Sequence, residues 1–425
     1  MSNIEFYNSD PLTDMGSSPA IIKSFCDYLR NKKDTIQSVD IALYLFNNPY
    51  LLQTLKELAS TTCRVTIYSI PIEGYDNNSQ YTISTSDSSM TNASHTKYDW
   101  ATHIYDEMKQ NQNPYLDLRI VPHKYVRSQN VKPFSRGVLP YSMHIKTAFI
   151  QQMNDINCAF IFSSNLAVCD ESKIESVYSW NLTRRDAGCA IDFFCGLRDN
   201  SISIKDFDPT QDYNHYNITI RPTPTLGSLI YTAPFYSNSP IIYKQWLINI
   251  IQHARNRIIV VGQHISDYKS TFRGNNNYGF LYYVLMKAKE GVQTTFLSQT
   301  YADPQGNDAN ASYRKPENKA AFVEFINAVN QAGNCKYYVH KLLHAKYIII
   351  DNWVVFSTGN FTLTQFVYIP DVNIQSFNNI PNTSYSGIFC EFGAHYFVEN
   401  QVKADEMENY TNQIICDPNT ICTIP

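Results

Sequence analysis

Two stretches of this chain carry the same reactive side chains in the same order. In the second half, VHKLLHAKYIIIDNWVVFSTGNFT sets His344 and Lys346 two residues apart, just ahead of the apolar run YIII. Side chains of an extended strand alternate between faces, so the two share one face. Asp351-Asn352 reads as a turn and WVVF as the returning antiparallel strand. The return delivers Ser357, Thr358 and Asn360 beside His344. An imidazole, an ammonium, a hydroxyl and an amide gathered this way suit a tetrahedral phosphate: Lys346 neutralises charge, Thr358 and Asn360 donate hydrogen bonds, and His344 attacks or protonates. The first half repeats the arrangement, with His144 and Lys146 in YSMHIKTAFI and Ser163, Ser164 and Asn165 on the return CAFIFSSN. At nearly equal distances downstream each copy has an acid in an apolar run, Asp192 in CAIDFFCG and Glu391 in GIFCEFG. This predicts a buried strand carboxylate on the second nitrogen of each imidazole, fixing its tautomer.

A His-x-Lys spacing alone carries little weight in a chain with ten histidines. His95-Thr-Lys97 also fits it, but stands in a polar stretch with no apolar strand or Ser-x-Asn return behind it, and is set aside. What separates the other two copies is the whole constellation, and the elements around them repeat as well. The first half runs IEFYNSDP, a helical pattern over 21–31, VDIALYLF, a second helix over 49–59, then RVTIYSIP. The second half runs LIYTAPFY, a helix over 241–255, RIIVVGQHI, a helix over 278–290, then VQTTFLSQ. Short apolar runs alternating with amphipathic segments predict an α/β fold around largely buried sheets, in two repeats spanning 1–215 and 216–425. The stretch 203–227 reads as an exposed connection, and 74–97 and 300–316 as long polar loops.

The 425 residues are 44% hydrophobic and 17% charged, with a formal net charge of −4. That balance argues against a protein that coats nucleic acid. The ten cysteines form no CxxC pair, so neither a zinc site nor a disulfide ladder is expected, and a reducing compartment is. The N-terminus lacks the basic and apolar regions of a secretory signal, and no apolar run is long enough to span a bilayer. The expectation is a soluble or peripheral membrane protein.

The order H-x-K-x4-D followed by a Ser/Thr-x-Asn return resembles the phospholipase D superfamily, with His344, Lys346, Asp351, Thr358 and Asn360 matching it closely. The first copy departs from it: Gln151 stands in place of Asp351, Ser163-Ser164 replace the Gly-Ser step, and the turn QQMNDINC is longer, with Asp155 as a substitute acid. The resemblance implies two α-β-α repeats, each a mixed central sheet flanked by helices, packed as a pseudo-dimer around one shared site. It further implies that His144 attacks phosphorus to give a phosphohistidine, that His344 protonates the leaving alcohol, and that no metal or other cofactor takes part. The family's Asp resembles a structural turn residue.

Superfamily membership leaves the substrate open. Charge and size favour a glycerophospholipid, hydrolysed or transphosphatidylated to phosphatidic acid, with a phospholipid membrane surface as partner. The aromatic-rich stretch 361–389 reads as an interfacial loop. A nuclease would need a basic groove, for which Lys124, Arg127, Lys132, Arg136, Arg184 and Arg185 are the candidates, and a partly degenerate lipid-binding scaffold is the third reading. A two-repeat chain needs no partner to complete its site, so a monomer is expected. Cys422-Thr-Ile-Pro425 resembles a prenylation box, although Pro is an unusual last residue; if used, it fits an effector acting at host membranes or a eukaryotic cytosolic enzyme.

Overall fold

The computed structural model describes residues 4–8, 20–44, 46–70, 92–121, 143–167, 173–208, 218–224, 227–270, 277–299, 316–374 and 385–424. Its first eight strands are β1 (Ile4–Asn8), β2 (Ile36–Ala42), β3 (Arg64–Ser69), β4 (Leu116–Ile120), β5 (Thr147–Gln152), β6 (Asn157–Phe162), β7 (Ser176–Asn181) and β8 (Ile202–Ser203). They form one mixed sheet in the order β1-β7-β6-β5-β2-β3-β4-β8. The helices of this half are α1 (Ala20–Lys32), α2 (Pro49–Leu58), α3 (Asn92–Gln110) and α4 (Arg184–Asp199).

The second half supplies β9 (Leu229–Thr232), β10 (Arg257–Gly262), the short ribbon β11 (Lys269–Ser270) and β12 (Asn277–Tyr278), β13 (Gln293–Ser298), β14 (Cys335–Val339), β15 (Tyr347–Ile350) and β16 (Trp353–Ser357). A second ribbon follows, β17 (Ile369–Ile374) with β18 (Tyr385–Phe389), then β19 (Gly393–Glu399) and β20 (Ile421–Ile424). The helices here are α5 (Ser239–Gln252), α6 (Phe280–Lys289), α7 (Pro316–Ala332) and α8 (Gln401–Ile415). The second sheet, read from its β9 edge, runs β9-β19-β16-β15-β10-β13-β14-β20. Strand for strand this is the first sheet again, with β5-β6 matched by β15-β16 and the parallel pair β2-β3 by β10-β13. The duplication therefore covers the architecture and not only the motifs.

Local chemistry explains the boundaries. Asn48 caps α2, its Oδ1 accepting the Leu51 N–H at 3.1 Å, with Pro49 in the first turn. Thr183 caps α4 and Asn400 caps α8 in the same way. The central strands β6, β10 and β15 are continuous apolar runs because helices or the other repeat cover both faces.

One sequence expectation fails on periodicity. CAIDFFCG belongs to α4 and is not a strand. Its buried residues Ala187, Ala190, Phe194 and Leu197 recur every three or four positions, which is the helical period. Of two apolar clusters among the described residues, one crosses from one repeat to the other and the second lies within the second repeat. Tyr178 stacks on Phe356 with ring centroids 3.6 Å apart, and Trp180 on Tyr396 at 3.9 Å, riveting β7 to the facing strands β16 and β19. Among the described residues no helix is long and apolar enough to cross a membrane.

Candidate active site

Both His-x-Lys segments are extended lead-ins to the central hairpins, His144 and Lys146 just before β5, His344 and Lys346 just before β15. Ile145 and Ala345 point into the core, which turns the flanking His and Lys to the opposite face. The two lysines are buried and make matched contacts. Lys146 Nζ donates to His144 O at 2.6 Å and reaches Thr358 O of the other repeat at 3.5 Å. Lys346 Nζ donates to His344 O at 2.6 Å and reaches Ser163 O at 3.4 Å. Each ammonium thus lies on the seam, which brings the two constellations together.

The carboxylates also cross the seam. Glu175, from the first repeat, places Oε1 2.5 Å from His344 Nδ1. The backbone enforces this: His344 N–H and Ala345 N–H both donate to Ile174 O at 2.9 Å, and Ile174 N–H donates to Leu342 O. Glu175 is itself held, since Ser163 Oγ donates to its Oε2 at 2.5 Å and accepts the Ser176 N–H at 2.7 Å. In the reciprocal pair, Glu391 Oε2 of the second repeat lies 3.6 Å from His144 Nδ1. A carboxylate on Nδ1 selects the tautomer that leaves the Nε2 lone pair available.

The two imidazoles differ in environment. The His144 side chain is 35% exposed and that of His344 only 6%. Burial lowers the His144 pKa, with Glu391 opposing and Lys146 reinforcing the shift. Burial, and then the charges of Lys346, Lys173 and Lys146, lower that of His344 well below the ordinary value. Tyr44 stands edge-on to His144 at 6.1 Å.

The returns place their polar ends beside these rings. Thr358 N–H donates to Ala394 O, and Ala394 N–H donates to Thr358 Oγ1 at 3.0 Å, so this hydroxyl anchors the turn that carries Asn360. In the first repeat Ser163 takes the matching place, Ser164 Oγ accepts the Leu166 N–H at 2.9 Å, and Asn165 follows half-buried. Hairpin register puts Phe162 opposite Val177 and Ser357 opposite His395, so the residue of the first copy that stands where Ser357 does is Phe162.

Several expected residues lie elsewhere. Asp192 is on α4, where Arg221 Nη1 and Tyr236 Oη each donate to it at 2.5 Å, clamping part of the 203–227 connection to that helix. Its nearly equal spacing with Glu391 is a coincidence of two different elements, and the carboxylate on the first-repeat side is Glu175. Glu391 itself lies in the short link between β18 and β19 and holds His144, not His344. Asp351 faces away from the histidines: its carboxylate accepts the N–H groups of Arg255, Asn256 and Arg257 at 2.8, 2.8 and 3.0 Å. Gln151 instead accepts from Ser38 Oγ, and Asp155 is exposed in a left-handed turn position with φ 57°.

The stretch 361–389 contains the antiparallel β17–β18 ribbon, with 375–384 outside the described residues. Cys422 is exposed in β20, paired to Tyr338 at the sheet edge. His95 and Lys97 fall within α3, while 74–91 and 300–315 lie outside the described residues. Lys124, Arg127, Lys132 and Arg136 also lie outside them, and Arg184 and Arg185 are exposed on the first turn of α4. Glu175 has no motif of its own in the sequence. Its signal was positional: an acid immediately before the apolar strand that follows the Ser/Asn return, as Glu391 is in the second half.

No family model and no curated protein matches the sequence. Solved structures do match. The phosphatidylserine synthase of Haemophilus influenzae Rd KW20 superposes with a TM-score of 0.56 over 99% of this chain and 87% of its own, at 12% identity. The polyphosphate kinase of Porphyromonas gingivalis superposes with a TM-score of 0.54 over 98% of this chain and 51% of its own, at 9% identity, so this chain spans about half the length of that enzyme. With two matched mixed sheets flanked by helices, the chain shares the two-repeat α/β fold of these two structures.

Proposed function

We propose that this chain is a phosphodiesterase of the phospholipase D type that hydrolyses a glycerophospholipid to phosphatidic acid, or transphosphatidylates it to a new phosphatidyl ester when an alcohol takes the place of water. The observation that carries the reading is the reciprocal crossing of the seam, His344 with Glu175 and His144 with Glu391, flanked by Lys146 and Lys346. Two imidazoles held as the Nδ1–H tautomer, with two ammonium groups beside them, suit double displacement at phosphorus. His144, the more exposed ring, attacks through Nε2 as the P–O bond to the headgroup breaks, giving a phosphohistidine. His344 supplies the proton to the departing alkoxide, then withdraws one from the incoming water or alcohol. The negative charge of the bound phosphodiester offsets the burial and flanking cations that depress the His344 pKa, and so lets it carry that proton. Lys146, Lys346, Asn165 and Asn360 stabilise the charge on the equatorial oxygens.

Mass-spectrometric product analysis on mixed phospholipid vesicles, with and without ethanol, tests the reading. The expected products are phosphatidic acid and, with ethanol, phosphatidylethanol, both lost in His344→Ala. No product from any lipid, together with cleavage of single-stranded DNA, would move the reading to a nuclease.

A further inference from the structure

The two half-sites share a backbone course but rest on different floors. Beneath the first return the register pairs Phe162 with Val177, and beneath the second it pairs Ser357 with His395, both fully buried. Ser357 Oγ lies 3.0 Å from His395 Nδ1, 3.1 Å from Gly359 N and 3.2 Å from Gly359 O. A serine hydroxyl has one proton. Donating it to Gly359 O while accepting from Gly359 N–H and His395 Nδ1–H satisfies all three groups, and assigns the Nδ1–H tautomer to this histidine. Burial pushes the His395 pKa down to about 3, so the ring stays neutral under ordinary conditions.

The ring is also fixed sterically. It stacks on Tyr243 with centroids 3.6 Å apart at 13°, and Tyr243 stacks in turn on Phe366. Gln365 packs near the Nε2 edge of His395, beside Gly393. A Cβ added at Gly359 would meet Gln365 Oε1 at 1.6 Å, and one added at Gly393 would meet Gln365 Nε2 and His395 Nε2 at 2.8 Å each. The two glycines let this buried polar group pack directly on their backbone, where a Cβ would displace it. The turn Thr358-Gly359-Asn360 is therefore seated on a rigid polar support that the first half-site lacks.

We propose that His395 is a positioning residue of the second half-site: through Ser357 it sets the Gly359 peptide, and with it the angle at which Asn360 meets the phosphoryl group beside His344. The proposal rests on the phosphodiesterase reading. It assigns His395 no proton transfer, since nothing places its ring against the reacting atoms.

The test uses the full chain with phospholipid vesicles and a soluble nitrophenyl phosphodiester, alongside hydrogen exchange of the 353–361 segment. His395→Phe keeps the stack on Tyr243 and removes the donor. The expected result is a fall in kcat of at least about tenfold with KM nearly unchanged, by the same factor across about pH 5 to 9. Ser357→Ala should behave alike, and the double variant should be no worse than the poorer single, because the two act as one unit. His395→Asn, whose amide can set a donor near the place of Nδ1, should recover most of the loss. Unchanged kcat with only a lowered melting temperature, additive losses, or a shifted pH profile would each overturn the proposal. If the wild type turns over neither substrate, the phosphodiesterase reading fails by itself. Hydrogen exchange then decides the positioning role, which requires selective acceleration at the Gly359 amide in His395→Phe and is overturned by unchanged exchange.

Discussion

Glu175 and His344 belong to different repeats, yet the Oε1 of one lies 2.5 Å from the Nδ1 of the other across the seam. Neither repeat can orient its own histidine, so the pairing makes the site a property of the whole chain. Replacing Glu175 with Ala should lower kcat by at least about tenfold, because the tautomer of His344 is no longer enforced. Glu391→Ala should do the same through His144. Steady-state kinetics on both variants check this, and full activity in both would remove the carboxylates from the mechanism.

The pH dependence follows from the direction of the histidine shifts. An attacking His144 must be neutral, and burial lowers its pKa below that of a free imidazole. The acid limb of kcat/KM should therefore have its midpoint below about 6.5, with activity persisting to lower pH than an exposed histidine allows. A midpoint at or above that value contradicts the assignment.

Asp351 and Asp192 should separate cleanly. Asp351 satisfies three backbone N–H groups at the start of β10, while its carbonyl accepts the Arg257 guanidinium. Asp351→Ala removes those hydrogen bonds from donors that water still reaches and should cost about 1 kcal/mol, seen as a lower denaturation midpoint with kcat per folded molecule retained. Asp192→Asn, on the far element α4, should leave kcat and KM unchanged.

The aromatic seam should dominate stability. Trp180 is 2% exposed and stacked on Tyr396 of the opposite repeat. Trp180→Ala should destabilise the chain by about 3–5 kcal/mol in a denaturant titration. A loss below about 1 kcal/mol would mean that the repeats are held together elsewhere.

Acid stability reports on His395. Its native pKa is about 3, whereas an unfolded imidazole titrates near 6.5. Between those values the unfolded chain binds a proton that the native chain refuses, so stability falls as pH drops through this window, by up to about 5 kcal/mol. Its full contribution is present above pH 6.5. Melting curves of His395→Phe should depend less on pH across the window than those of the wild type.

Periodicity and duplication make the α/β class, the two-repeat order and the His-x-Lys, Ser/Thr and Asn positions legible from the chain alone, because each depends on residues close together in sequence. The strand β2, the helix α2 and the hairpin around Asp351-Asn352 announce themselves by apolar spacing and turn chemistry. The partner of each histidine does not. Glu175 reaches His344 because the segment 173–175 lies beside the opposite repeat's lead-in, a juxtaposition with no local signature. Spacing pointed instead to Asp192, whose apolar surroundings, CAIDFFCG, fit a strand or a helix equally until the Thr183 cap and the core contacts of α4 choose the helix. The neutral Ser357–His395 support was likewise invisible, since only the register of β16 on β19 sets those two side chains face to face.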